Sequence, residues 1–570
     1  MKIMTQTTPL MLGTLLLMAS STLAQTEVDK LSTNAGRTGD RLGTSAAFDG
    51  TTALLGAPDD RVSGLTAGSV FVFEDKGSGW NQVQRLNRPT LERNDDFGTS
   101  VDLDGSFAIV GAPLVDLPGG GGGLGNPTAD WGAAYIFQQD MGGNWSFDQE
   151  LRASDDDPFD YFGTAVAISG DTVVVGARGA NLGGIIHAGA AYVFVRGGGG
   201  SWSQQAKLTA SDGSNLDAFG LAVDIDGDRI VVGSHVSDGI VAGAGSAYVF
   251  ERSGSSWSQT TKLVASDGLS GDRYGGSVSM DDDLIVVGAR GADPAGMSGA
   301  GAAYANRLTG GSWVEEAKIL PGDLGASDLF GSSIAIVGER VGIGAVNSNG
   351  FTGAAYVFDR SGGSWSETAK LTADDGDSSD SFGGSIAFDG SLFLVGAAGG
   401  DGVEVDSGVG YLFSLGNGLG TPYCFCDVGI CSNPDANAGC ENTTGSGALL
   451  AASGSASTSA DDLTLSTTSL ASNQFGLIFM GAGQTASPFG DGQRCVTAGG
   501  IEVYRFPIRN SGAGATLVES GIVGTSQSFN SNGQIAAGQT WNFQAWYRDP
   551  GGPCSTAFNL SNGVSITFLP

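Results

Sequence analysis

The sequence predicts an all-β chain: a seven-bladed β-propeller of four-stranded blades over residues 25–420, then a small β-sandwich-like domain over residues 421–570. Three observations predict it. One unit recurs seven times at a spacing suited to propeller blades, each unit has the period and turns of a β-meander, and all six cysteines fall beyond residue 423. With 96 Gly and only 16 Pro among 570 residues, and 41% hydrophobic residues, the chain is too apolar for a disordered linker and has no collagen period.

Each unit opens on an aromatic residue or Leu followed by Gly: Leu42-Gly43, Phe97-Gly98, Phe162-Gly163, Phe219-Gly220, Tyr274-Gly275, Phe330-Gly331 and Phe382-Gly383. Thirteen residues after each of these glycines stands a second Gly with a small neighbour: Gly56-Ala57, Gly111-Ala112, Gly176-Ala177, Gly233-Ser234, Gly288-Ala289, Gly344-Ala345 and Gly396-Ala397. Between them lies apolar alternation, a two-residue turn and a β-branched run, as in Ala222 to Val232. The turn reads Asp-Gly at 49, 104, 226 and 389, which predicts a type I′ hairpin. A third strand carries Tyr or Phe, as in Ala191-Tyr192-Val193-Phe194. A fourth opens on Trp80, Trp145, Trp202, Trp257, Trp313 or Trp365 and has an aliphatic residue six positions on. Consecutive apolar residues need both sheet faces covered, which radial stacking provides. The seventh unit lacks a Trp strand, and Val28-Asp29-Lys30-Leu31 resembles the fourth strand Ala206-Lys207-Leu208. The N-terminal segment is therefore expected to complete the last blade and leave no open edge.

Lys2, the apolar run Leu10 to Met18 and the small residues up to Ala24 read as a secretory signal peptide over residues 1–24, cleaved near Ala24. The mature protein is expected to be secreted or at the cell surface. No later run is long and apolar enough to span a bilayer. In that compartment Cys424, Cys426, Cys431, Cys440, Cys495 and Cys554 read as three disulfides, with 15 pairings open. The net charge of −33, with 27 Lys plus Arg and two His, argues against nucleic acid as partner and against His-based catalysis.

The pairing of Phe-Gly with Gly-Ala-Pro resembles the FG-GAP repeat family, known from the seven-bladed head of integrin α chains. That resemblance implies a propeller over roughly residues 25–420. Several family blades carry an Asp-x-Asp-x-Asp-Gly calcium loop in the first hairpin. Here the invariant spacing leaves room only for a tight turn, so Asp224, Asp226 and Asp228 are not read as a metal site. The C-terminal segment is similar to a module of secreted proteins from planctomycete-type bacteria, on Phe489-Gly490-Asp491-Gly492, Arg494-Cys495 and Trp546-Tyr547-Arg548-Asp549-Pro550.

An Asp three residues before each first glycine (Asp40, Asp95, Asp160, Asp217, Asp272, Asp328, Asp380) recurs too regularly for a catalytic group and reads as a turn former. Asp155, Asp156, Asp157 and Asp160, with Asp374, Asp375, Asp377 and Asp380, are the candidate ligands for calcium. His187 and His235 read as incidental. The variable loops between second and third strands, including the insertion over residues 113–131 with Trp131 as an exposed aromatic, share one face with the acidic interblade loops. The chain is thus expected to be a non-enzymatic, monomeric binding or adhesion protein that recognises a protein or glycan ligand at the cell surface. The alternatives are a glycosidase or lyase using a carboxylate pair on that face, and a structural envelope component.

Overall fold

The computed structural model describes residues 25–570 apart from 35, 76–78, 117–129, 362, 416–420, 424–439, 441, 445–446, 454–457, 459–462, 490–491, 500–501, 513–515, 551–556 and 569–570. Residues 1–24, read above as an export signal, and four of the six cysteines lie outside those residues. Cys440 and Cys495 are both disulfide-bonded. The chain divides into two units, Met1–Leu415 and Gly416–Pro570.

The first unit contains seven four-stranded antiparallel sheets. Blade 4 illustrates the plan, with consecutive strands Ala222–Asp226, Arg229–Ser234, Ser246–Ser253 and Ser256–Leu263. Each second strand has an apolar centre, and Ile230, Val231 and Val232 are all fully buried because neighbouring blades cover both faces. Blade 7 takes its outer strand from the N-terminal end. Gln25–Leu31 pairs antiparallel with Val409–Leu415, placing Lys30 opposite Tyr411 and Leu31 opposite Gly410. Lys207 and Leu208 stand likewise opposite Tyr192 and Ala191 in blade 3. The same bulge is present too, since the register shifts between Glu27 and Asp29 as it does in the outer strand of every other blade.

The hairpin turns differ from the expected type. In blades 1 to 6 the turn residues begin one position later, at Gly50, Gly105, Gly170, Gly227, Asp282 and Gly338, and only the first of each pair has positive φ. That is the II′ pattern, not I′. The Asp that ends the first strand is therefore free to reach sideways: Asp49 accepts the Gly105 N–H at 2.9 Å and Asp226 accepts the Asp282 N–H at 2.8 Å, each in the next blade.

Blades join through backbone. The second repeat glycine of each blade faces the first repeat glycine of the next, and a Cβ at Gly56, Gly111, Gly176, Gly233, Gly288 or Gly344 would stand under 3.0 Å from that glycine's carbonyl oxygen. Gly396 faces Gly43 in the same way, so the ring closes through the contact that built it. The amide of each opening residue also donates across the interface, from Phe97 to Ala67 at 3.2 Å, from Phe219 to Ala188 at 3.0 Å and, at the closure, from Leu42 to Ser407 at 3.1 Å. Ser385 Oγ donates to the Gly43 carbonyl at 2.9 Å, repeating the bond from Ser45 to Gly98.

In the second unit a six-stranded sheet includes Phe475–Gly481, Thr540–Arg548 and Phe558–Thr567. A three-stranded sheet joins Leu449–Ser453, Thr464–Thr468 and Leu517–Ser520. Leu450, Leu465, Ile478, Met480, Trp541, Phe543 and Ile566 share one buried core between them.

The glycine contacts make a direct prediction. Gly233→Ala drives a methyl into the Gly275 carbonyl and should destabilise the propeller by roughly 3 kcal/mol or more, read as a lowered melting temperature. Gly170→Asn, at φ +56° with open space around it, should cost under about 1 kcal/mol. Equal losses at both positions would contradict the interface argument.

Candidate functional site

The loop face is assembled by bonds between each loop joining second to third strands and the linker that enters the next blade. Leu216 N–H donates to the Ile186 carbonyl at 2.9 Å, Gly271 to Gly243 at 2.9 Å, Ser379 to Phe351 at 2.8 Å and Gly39 to Asp406 at 2.8 Å. Both loop families therefore lie on one side of the ring, around the mouth of the central channel.

Within each linker the repeated Asp forms the turn. All seven carboxylates accept the N–H of the residue three positions earlier, at 2.7 to 3.1 Å, from Arg37, Glu92, Asp157, Ser214, Leu269, Gly325 and Asp377. The flanking residues, for example Leu216 and Ala218 or Ser379 and Ser381, have positive φ, a costly conformation that this carboxylate holds in place. Burial pushes Asp160 up to about 6. Asp95 also rises to about 6 by burial, although Arg88 pairs with it at 2.6 Å.

Four of the eight acids named for calcium spend their carboxylates on other partners. Asp155 pairs with Lys207 at 2.7 Å, and Lys207 lies 5.2 Å from the centre of the Tyr192 ring. Burial works to raise Asp155, but the hydrogen bond and charge of Lys207 outweigh it and hold the carboxyl below its usual range. Asp375 has Lys30 at 2.5 Å and the Tyr411 hydroxyl at 2.9 Å. The trio recurs as Lys262, Tyr248 and Asp212, as Lys318, Tyr304 and Asp267, and as Lys370, Tyr356 and Asp323. It ties the linkers entering blades 3 to 7 to the blades that they enter. Asp160 and Asp380 form the turns described above, accepting the Asp157 and Asp377 amides. The Asp374 amide donates to Glu27 at 3.3 Å, and burial raises Asp156. Among the described residues no three His, Cys, Asp or Glu side chains converge to hold a metal ion.

Trp131 is half-buried, in contrast to the exposed aromatic expected at this position: its carbonyl accepts the Phe162 amide at 3.0 Å, and its Nε1 is covered. It belongs to the interblade seam. Residues 117–129 of that insertion lie outside the described residues. Exposed apolar side chains stand instead at Phe159, Ile186, Leu216, Val236, Ile240, Leu269, Phe351 and Val405. The His187 backbone N–H donates to the Asn181 side-chain oxygen at 2.9 Å.

First strands of all seven blades line the channel, with a cavity of about 320 Å³ walled by residues such as Val166, Ile168, Met280 and Phe388. Two carboxylates interrupt that wall. Asp102 accepts the amides of Leu103 at 2.9 Å and of Ile168, in the next blade, at 2.7 Å. Asp224 accepts those of Ile225 at 2.8 Å and Met280 at 2.7 Å. Burial pushes Asp102 up to about 7, with the charge of Asp224 adding to it, and Asp224 up to about 6.

The mouth is electrically divided. On the side of blades 1 and 2, burial and then the charge of Asp59 raise Asp96 to about 6, against the opposing charge of Arg41 and with smaller contributions from Asp95 and Asp130. Arg41 pairs with Asp59 at 3.3 Å. On the side of blades 3 to 5 stand Arg178, His235, Arg273 and Arg290. His235 is lowered to about 4 by burial and then by the charges of Arg290, Arg273 and Arg178. Sequence reading had missed this arc, whose signal is positional: Arg178, His235 and Arg290 each follow directly on the second Gly-Ala or Gly-Ser, and Arg273 directly precedes Tyr274-Gly275.

The raised channel acids set a pH dependence. Between about pH 4 and pH 7 the folded state holds protons that the unfolded chain has released, so stability falls as pH rises through that window. Replacing both Asp102 and Asp224 by Ala, the residue already present at the equivalent positions 47, 167, 335 and 387, should flatten the fall in melting temperature between about pH 5 and pH 7.5. It should also raise stability at the upper end by on the order of 2 kcal/mol. A double variant with the slope of the parent would contradict the assignment.

A family model described as FG-GAP repeat matches the chain seven times, at residues 25–73, 80–137, 145–194, 202–250, 257–305, 313–358 and 365–413. Each match runs from the outer strand of one blade to the third strand of the next, the offset that the strand-swapped closure requires. No curated protein matches the sequence. Among solved structures, a functionally unknown protein from Desulfotomaculum acetoxidans aligns with 12% identity and a TM-score of 0.36, covering 60% of this chain and 89% of that one. Among the described residues no helix is long and apolar enough to cross a membrane. With seven matches covering most of its first unit, each falling on an observed interblade repeat, the chain belongs to the FG-GAP repeat family.

Proposed function

We propose that this is an exported binding or adhesion protein that uses the loop face of its propeller to recognise a protein or glycan partner outside the cell. One observation carries the reading. Linkers and loops pinned by backbone bonds and turn carboxylates hold Ile186, Leu216, Ile240, Leu269 and Phe351 outward into solvent, on the face that surrounds the channel mouth. Apolar groups fixed in exposed positions on a rigid frame favour recognition. FG-GAP propeller repeats commonly serve binding, which agrees. The seven turn aspartates accept backbone amides, and Asp155, Asp212, Asp267, Asp323 and Asp375 pair with lysines, so these carboxylates serve the frame.

The test uses the mature chain, labelled and presented to intact envelope fractions and to a glycan array. The triple variant Leu216→Asp, Ile240→Asp, Leu269→Asp should keep its circular dichroism and melting temperature, because all three side chains are exposed. It should lose about tenfold or more in binding. Unchanged binding would overturn the reading, as would cleavage of any arrayed glycan that a single Asp or Glu substitution on the loop face abolishes.

A further inference from the structure

The chain carries 60 acidic and 27 basic residues, so carboxylates are plentiful around its cations, although Arg37, Arg61, Arg93, Arg494, Arg505 and Arg548 lack one within 4.0 Å among the described residues. Arg85, Arg88, Arg152, Arg196, Arg229, Arg252, Arg307, Arg340 and Arg360 all have one within 4.0 Å. Arg178, Arg273 and Arg290 have none among the described residues, yet all three act on His235, and Arg273 acts on Arg290. Arg290 is half-buried, and burial first, then Arg273, hold it below its ordinary range. Arg178 is held over the Tyr161 ring at 4.6 Å, and the Nδ1 of His235 is buried without a hydrogen-bond partner. Like charges crowded around an unpartnered imidazole destabilise the free protein, and one anion would relieve all four groups together.

Two properties choose the anion. Planar guanidinium groups match the fork of a carboxylate. The overall charge of −33 repels polyanions at long range, which disfavours nucleic acid and heavily sulfated glycans against an isolated acidic group. The same loops then choose the carrier. Val236 adjoins His235, Leu269 lies four residues before Arg273, and Ile240 packs over Gly268, so the arc is bordered by exposed aliphatic side chains suited to a polypeptide.

We infer that Arg178, His235, Arg273 and Arg290 form a receptor for an acidic side chain of a partner protein, whose flanking apolar residues lie on Val236, Ile240 and Leu269. This inference rests on the loop-face reading above and deepens it.

The two histidines make the test clean. In full-length mature protein labelled only at histidine, His235 reports on the arc and His187 serves as the internal control. The probes are the capped peptide Gly-Leu-Asp-Ile-Gly, its Asn counterpart, sodium galacturonate and sodium sulfate. The Asp peptide should move the His235 resonance saturably while the Asn peptide does not. Arg273→Gln with Arg290→Gln should weaken that binding about tenfold or more, with galacturonate and sulfate weaker than the peptide by a similar factor. An equal response to the Asn peptide, an unaffected double variant or no shift up to about 10 mM peptide would overturn the proposal. Tighter binding of galacturonate would replace the polypeptide by an acidic glycan, and of sulfate by a sulfated one. In the envelope assay, binding lost by the apolar triple variant but kept by the arginine variant would sink this inference and leave the loop-face reading standing. Binding kept by both would end both.

Discussion

The propeller depends on one contact, the approach of a glycine in the second strand of each blade to the glycine that opens the next. It occurs seven times, from Gly56 against Gly98 round to Gly396 against Gly43. No side chain larger than hydrogen fits there, and the opening glycines hold φ between +84° and +95°. From this backbone seam follow the invariant thirteen-residue spacing, the bond from each opening amide to the blade behind it, and the packing of second strands against sheets on both sides. An insertion within either strand between the two glycines would move one of them off the seam, so variation is pushed outward into turns and loops.

The loops then divide their charged groups between frame and surface. Each linker spends a carboxylate on its own turn and, in five blades, a second one on a lysine and a tyrosine of the blade it enters. Most of the acidic surplus in this region is thereby structural. What the frame leaves over is local: a pair of acids inside the channel, and an arc of arginines around His235 at its mouth with no carboxylate within 4.0 Å among the described residues. Residues some 55 to 57 positions apart, Arg178, His235 and Arg290, meet there because the ring returns the same register position to the same rim once per blade.

How much of this was legible follows from which contacts are periodic. The opening and second glycines, the strand-two runs and the match of Lys30-Leu31 to Lys207-Leu208 repeat at fixed spacing, so the blades and their closure could be read from residues alone. The hairpin type could not. Asp-Gly looks like the centre of a type I′ turn, but the strand pairing slips by one and puts Gly at the first turn position, where the Asp side chain can reach the neighbouring blade; blade 6 has the same turn with Val337 in place of Asp. Trp131 was misread because composition marks an insertion without showing that its last residues join the interblade seam. The lysine, tyrosine and aspartate trio was visible only as three separate recurrences, and the acids within it resembled metal ligands until Lys207 and Lys30 were seen to occupy them. The cationic arc had no local signature, since its members are brought together by the ring.

Closure is the claim on which the rest stands, and it can be measured by removing the strand that performs it. Deleting residues 25–36 from the mature protein strips Leu31, which is 2% exposed, from the core shared by blades 7 and 1, together with Lys30 from Asp375 and Tyr411. The loss should exceed the roughly 2 to 5 kcal/mol of a single buried leucine, and the exposed edge of Val409–Leu415 should promote association between chains. The account predicts a melting temperature lower by several degrees and concentration-dependent aggregation. A truncated chain that stays monomeric and melts within about a degree of the parent would show that the ring does not depend on its N-terminal strand.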